Sequence, residues 1–185
     1  DVKAILRSNT VSTRTRLRWM WEICRGVQEL HRNSIIHGDI KASNVLVYGT
    51  EEAPNDLEKA KCQLSDFSLA CMVGNGNTCG YVRGQLYTST HRAPEVWEGR
   101  EWDYPSDIWA LGCTIYEMAF GTYIFEPNEN YVIMKKGFIS YHKNPMSKLG
   151  KMVPIVSLIF EMLMLNPAHR PTIDDILAHH AFDCV

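Results

Sequence analysis

The sequence predicts an α+β fold, mainly α-helical, with one short β-hairpin. Three observations carry that reading. Apolar residues recur at helical spacing over most of the first 33 positions and again beyond position 106. Two short β-branched runs, Ile35-Ile36 and Val45-Leu46-Val47, bracket a polar cluster. A glycine-rich polar stretch over 66–90 has no sustained period. With 185 residues, no internal repeat and no linker, the chain reads as one unit over 1–185.

From the N-terminus, Asp1–Ser8 has helix-like spacing, with Val2, Ile5 and Leu6 on one side. After the Ser8-Asn9-Thr10 break, Thr13–Asn33 is a longer amphipathic helix. Its buried stripe reads as Leu17, Met20, Trp21, Cys24, Val27, Gln28 and Leu30. The runs at 35–36 and 45–47 are strands, and Cys62–Ser65 returns as a partner strand across an acidic surface loop at 49–60. Residues 66–90 read as a long loop, and such a loop inside a compact domain is usually functional. Ser106–Phe120 is nearly all apolar apart from Asp107 and Glu117, which predicts a helix buried all round, with Trp109 and Leu111 at the centre. Ile155–Leu165 and Ile173–His180 are two further helices. Pro171 suits the first turn of the last one, and Asp174-Asp175 favour its N-terminal end.

Composition excludes several classes. A hydrophobic fraction of 45% and a charged fraction of 22% are those of an ordinary globular protein. Nineteen basic against 21 acidic residues leave a charge of −2, so no global field recruits nucleic acid or an anionic membrane. The basic run within the first 32 residues reads as a solvated helix face. Cys24, Cys62, Cys71, Cys79, Cys113 and Cys184 form no C-x-x-C pair and read as reduced thiols of an intracellular protein. The most apolar stretch, Met152–Leu165, contains Pro154 and Glu161 and is too short to span a bilayer.

The chemistry concentrates in His37-Gly38-Asp39-Ile40-Lys41-Ala42-Ser43-Asn44. Phosphoryl transfer needs a group to accept the proton of the attacking hydroxyl, a cation facing the γ-phosphate and oxygen ligands for Mg²⁺. Asp39, Lys41 and Asn44 could supply these in that order. Asp66-Phe67-Ser68 follows, with a second carboxylate for the metal and Phe67 as a buried anchor. His91-Arg92-Ala93-Pro94-Glu95 closes the long loop.

Together these resemble the H-R-D-x-x-x-x-N, D-F-G and A-P-E motifs of the eukaryotic protein kinase family, in the same order. Asp107-Ile108-Trp109-Ala110-Leu111-Gly112 resembles the segment of the family's buried central helix, whose aspartate holds the catalytic-loop backbone. Asn166-Pro167-Ala168-His169-Arg170-Pro171-Thr172 resembles a late segment whose arginine pairs with the A-P-E glutamate, here Arg170 with Glu95. The resemblance implies a kinase large C-terminal lobe with a catalytic loop at 37–44, the acidic extension at 49–60 and an activation segment at 66–95. Asp39 and Lys41 would be catalytic, and Asn44 and Asp66 would hold Mg²⁺. Asp1 would meet the ribose of ATP, and Leu46 would lie under the adenine. His37, Glu95, Asp107 and Arg170 would be structural support. Lys41, with Thr88 in the substrate-binding loop, points to serine or threonine in a protein substrate.

The sequence also departs from the family. Gly38 replaces an arginine that anchors activation-loop phosphate, so phosphorylation of Thr78, Tyr81 or Thr88 has no local anchor. Ser68 replaces the D-F-G glycine, which implies a loop that flips less freely. Gly74–Gly80 is a decoy for a phosphate-binding loop, with neither the strand nor the spacing. The octet is similar to the vaccinia-related branch beside casein kinase 1, whereas T-x-x-x-R-A-P-E is more like the cyclin-dependent and MAP kinase group. The residues before His37 read as helices, so the expectation is a large lobe without its small lobe, inert alone. Two readings follow: a Ser/Thr kinase using ATP and Mg²⁺ once a small lobe is supplied, or a non-catalytic free-standing lobe that binds another kinase.

Overall fold

The structure, a computed structural model, describes residues 1–8, 11–50, 52–53, 55–73, 88–100, 103–125, 153–183 and 185. In chain order the elements are α1 (Val2–Ser8), α2 (Thr13–Arg32), β1 (Ile35–Ile36), β2 (Val45–Tyr48), β3 (Lys61–Leu64), β4 (Cys71–Met72), α3 (Pro94–Trp97), α4 (Tyr104–Phe120), α5 (Val153–Met162) and α6 (Ile173–Leu177). The expected mainly helical α+β class holds.

Ser12 starts α2: its backbone is extended, with ψ 151°, and its side chain accepts from the Thr15 amide at 3.1 Å. The buried face of α2 is Thr15, Trp19, Met20, Ile23, Cys24, Val27 and Gln28. This is rotated from the expected stripe, and Leu17, Trp21 and Leu30 are only half-buried. The β2–β3 hairpin explains the rotation: Trp19 Nε1 donates to Ala60 O at 2.8 Å, and α2 packs against β3.

β2 and β3 pair antiparallel, with Val45 opposite Leu64 and Tyr48 opposite Lys61. The period of two sends Val45, Cys62 and Leu64 to the core and leaves Leu46, Tyr48, Lys61 and Gln63 exposed. β1 pairs with β4, which interrupts the stretch expected to be all loop. Val73 N continues that contact to Ser34 O at 2.6 Å. Cys71 in β4 is disulfide-bonded, which corrects the expectation of reduced thiols throughout. Cys24, Cys62 and Cys113 are free and buried.

α4 is capped by Asp103, whose side chain accepts from the Tyr104 amide at 2.8 Å, and is buried on nearly every side. Trp109 and Leu111 lie at the centre, 1% and 0% exposed, and Trp109 stacks on Phe125 at 5.6 Å. Gly112 lets α5 approach: an added Cβ would meet Met162 Cβ at 3.1 Å and Leu163 Cδ2 at 3.2 Å. Pro171 does not sit in the first turn of α6, because Thr172 is the N-cap. Thr172 and Asp175 form a reciprocal capping box, with Thr172 N donating to Asp175 Oδ2 at 2.9 Å. α6 is also shorter than expected and is followed by a 3₁₀ turn at His180–Phe182. Among the described residues no helix is long and apolar enough to cross a membrane.

Candidate functional site

Two loops face each other because two antiparallel pairs hold their ends. The 37–44 loop runs from β1 to β2, and the 65–70 loop runs from β3 to β4. Ser65 closes the seam by donating its amide to Asn44 O at 2.9 Å and its hydroxyl to the same atom at 2.8 Å. His37 Nε2 lies 3.1 Å from Ser65 O.

The first loop hangs from one buried carboxylate. Asp107, at the N-terminal end of α4 and fully buried, accepts from His37 N at 2.8 Å through Oδ2 and from Gly38 N at 3.1 Å through Oδ1. Gly38 has φ +78°, and an added Cβ would lie 2.6 Å from Leu69 O. A side chain therefore collides with backbone at this position, and glycine is what the local geometry admits.

Asp39 is 7% exposed and surrounded by donors. Lys41 Nζ is 2.5 Å from Oδ2, Asn44 Nδ2 donates to the same oxygen at 3.1 Å, and Thr88 donates its amide and hydroxyl to Oδ1 at 3.2 and 3.1 Å. Lys41 also donates to Thr88 Oγ1 at 3.0 Å. Burial alone would push this carboxyl up, but Lys41 and then Thr88 outweigh it and hold it below the usual aspartate range. The arrangement is an ionised base with a cation beside it.

Asn44 spends its Nδ2 on Asp39 O at 2.9 Å and on Asp39 Oδ2 at 3.1 Å, which leaves its amide oxygen as the atom able to serve a metal. Asp66 is exposed, in the left-handed region at φ +62°, and its carboxyl is lowered chiefly by the Ser68 hydroxyl and amide. Two oxygen donors suit a hard cation such as Mg²⁺, which commonly takes one or two protein ligands together with substrate phosphates. Among the described residues no group of three or more His, Cys, Asp or Glu could hold a metal ion. Phe67 corrects an expectation: it is 51% exposed rather than a buried anchor, with its ring 5.1 Å from His37.

Asp1 and Leu46 are less engaged. Asp1 accepts from the Ala4 amide at 2.8 Å and so caps α1, and Leu46 stands on the outer side of β2, 43% exposed. α1 packs against β2 and the 42–44 turn.

The profile of the family described as "Protein kinase domain" matches residues 1–182. The chain belongs to the protein kinase family. The chain is 30% identical over 167 residues to "Serine/threonine-protein kinase Nek3" of Mus musculus, covering 88% of this chain and 29% of that one. It is 30% identical over 187 residues to "Serine/threonine-protein kinase PLK2" of Mus musculus, covering 96% of this chain and 24% of the relative. With "Serine/threonine-protein kinase PKH2" of Candida albicans it shares 29% identity over 188 residues, covering 98% and 19%. The chain thus spans less than a third of the length of these relatives, all of them Ser/Thr kinases by name.

Away from Asp39, the chain joins Glu95 and Arg170. Arg170 NH1 and NH2 donate to the two Glu95 oxygens at 2.6 and 2.7 Å, and Ser106 Oγ donates to Oε1 at 2.8 Å. Burial would raise Glu95, and Arg170 overrides it and lowers it.

Two groups escaped the sequence reading. His31 Nε2 lies 3.2 Å from Asp107 Oδ2, a third partner for that carboxylate. Its spacing from Cys24 and Gln28 along α2 was the available signal. His91, 2% exposed, faces Glu117 at 3.7 Å while Lys3 approaches the other Glu117 oxygen at 3.3 Å. Burial lowers His91 to about 3, so it is neutral at physiological pH. These three residues are far apart in sequence, and no motif joins them. Thr78, Tyr81 and the 74–80 decoy lie outside the described residues.

Proposed function

We propose that this kinase chain is the large lobe of a Ser/Thr protein kinase, which transfers the γ-phosphate of ATP to a protein hydroxyl once a small lobe completes the nucleotide site. The observation that carries this is the Asp39–Lys41–Thr88 cluster: a buried, ionised carboxylate with an ammonium at 2.5 Å. In the transfer, the substrate oxygen bonds to phosphorus, the bond to the β-phosphate oxygen breaks, and the hydroxyl proton passes to Asp39. Lys41 neutralises charge developing on the moving phosphoryl group, and Thr88 orients Asp39 and Lys41 at once. Asn44 and Asp66 would hold Mg²⁺, which supplies charge neutralisation on the phosphates. Asp1 and Leu46 would border the ribose and the adenine.

The full-length protein, given Mg²⁺, ATP and a serine-containing polypeptide, should phosphorylate it, and Asp39→Asn should abolish that activity while leaving the melting temperature near wild type. Transfer undiminished in Asp39→Asn would overturn the proposal. A second reading, a non-catalytic lobe docked on another kinase, is favoured by the exposed Leu46, Tyr48, Phe67 and Met72. It predicts neither Mg²⁺–ATP binding nor transfer by the full-length protein.

A further inference from the structure

We propose that Ser68 is a positioning residue for the Asp66 carboxylate, restraining it through Oδ1 and leaving Oδ2 available to a cation. The inference rests on the kinase reading above, in which Asp66 and Asn44 hold Mg²⁺. The Ser68 hydroxyl donates to Asp66 Oδ1 at 2.6 Å, and the Ser68 amide makes a longer 3.4 Å contact to the same atom. Both donors fall on one oxygen, so they hold the carboxylate without occupying Oδ2. They restrain rather than compete.

The backbone gives the restraint something to do. Asp66 occupies the left-handed region at φ +62°, which a residue with a side chain keeps only where local hydrogen bonds favour it. Ser68 closes a turn back onto Asp66 and supplies such bonds. Its own φ is not positive, so this conformation of the loop makes no demand for glycine at 68. A glycine there would keep the long amide contact and lose the short hydroxyl one. Burial does not do the job instead, because neighbouring Phe67 is half exposed.

The test is Mn²⁺ binding to the full-length protein in the presence of ADP, followed by water-proton relaxation, with no phosphate transfer measured. Asp66→Asn should remove the site. Ser68→Ala and Ser68→Gly should each weaken Mn²⁺ binding by about tenfold, the scale seen when a hydrogen-bond partner of a metal ligand is lost. Ser68→Thr, which keeps the hydroxyl, should bind like wild type. Unchanged or tighter binding by Ser68→Ala, or a loss in Ser68→Thr equal to that in Ser68→Ala, would overturn the role of Ser68 and leave the kinase reading standing. A wild-type full-length protein with no Asp66-dependent site would overturn both.

Discussion

At the scale of single residues, positions inside the motifs carry constraints that the motif pattern itself does not state. Gly38 stands where the family has arginine, and its φ of +78° and the 2.6 Å approach of a would-be Cβ to Leu69 O account for the exchange locally. Gly38→Arg should destabilise the chain by about 1–3 kcal/mol, measured by urea unfolding. Equal or higher stability would mean the loop relaxes freely around a side chain. His91 makes a pH prediction. Its folded pKa, about 3, is below the unfolded value of 6.5, so between those values the unfolded chain binds the extra proton. Stability is therefore full above pH 6.5 and falls as pH drops. Glu95, lowered from its ordinary 4.5, adds loss in the same direction at more acid pH. His179, also lowered by burial, contributes in the same direction, so denaturation midpoints at pH 7.5 and 5 are compared between wild type and His91→Gln, which should lessen the slope without abolishing it.

At the scale of elements, the 49–60 extension is tied to α2 rather than merely appended. Glu58 accepts from Ser12 N at 3.1 Å and Ser12 Oγ at 2.6 Å, and it also meets Thr15 Oγ1, so a carboxylate from outside the helix serves its first turn. Glu58→Ala should speed amide exchange at Thr15 and Arg16 while leaving α4 unchanged. Between α4 and α5, Gly112→Val should cost about 1–3 kcal/mol by thermal denaturation, since the added carbons meet Met162 and Leu163. The helices were legible because 3.6-residue spacing and caps are local signals. Phe67, the β4 strand and the rotated face of α2 were not. Each is set by a partner distant in sequence: His37, Ile35-Ile36 and Ala60 respectively. The same division holds in the site. Asp39, Lys41 and Asn44 sit within six consecutive residues and could be read together, whereas His31 and the Lys3–His91–Glu117 group meet only in three dimensions.

At the scale of the whole molecule, Glu95 and Arg170 join positions 75 apart in one buried bidentate pair. Arg170→Ala should cost about 3–5 kcal/mol because it strands a buried carboxylate, and replacing both partners with apolar residues should cost much less. Double-mutant unfolding curves separate the two outcomes. Asp107 has a different kind of reach. Its carboxylate fastens the His37 and Gly38 amides to the most buried helix of the fold, with His31 alongside. Those two amides can open to solvent only by detaching from a group that is itself part of the core. In native-state hydrogen exchange they should therefore behave as core amides, exchanging at the rate of global unfolding although they belong to a loop, whereas Ser68, two residues beyond Asp66 on the exposed side, should exchange through local fluctuation. The proposed site would then contain two stabilities side by side: one half as durable as the fold itself, and the other held only by the local bonds between Ser68 and Asp66.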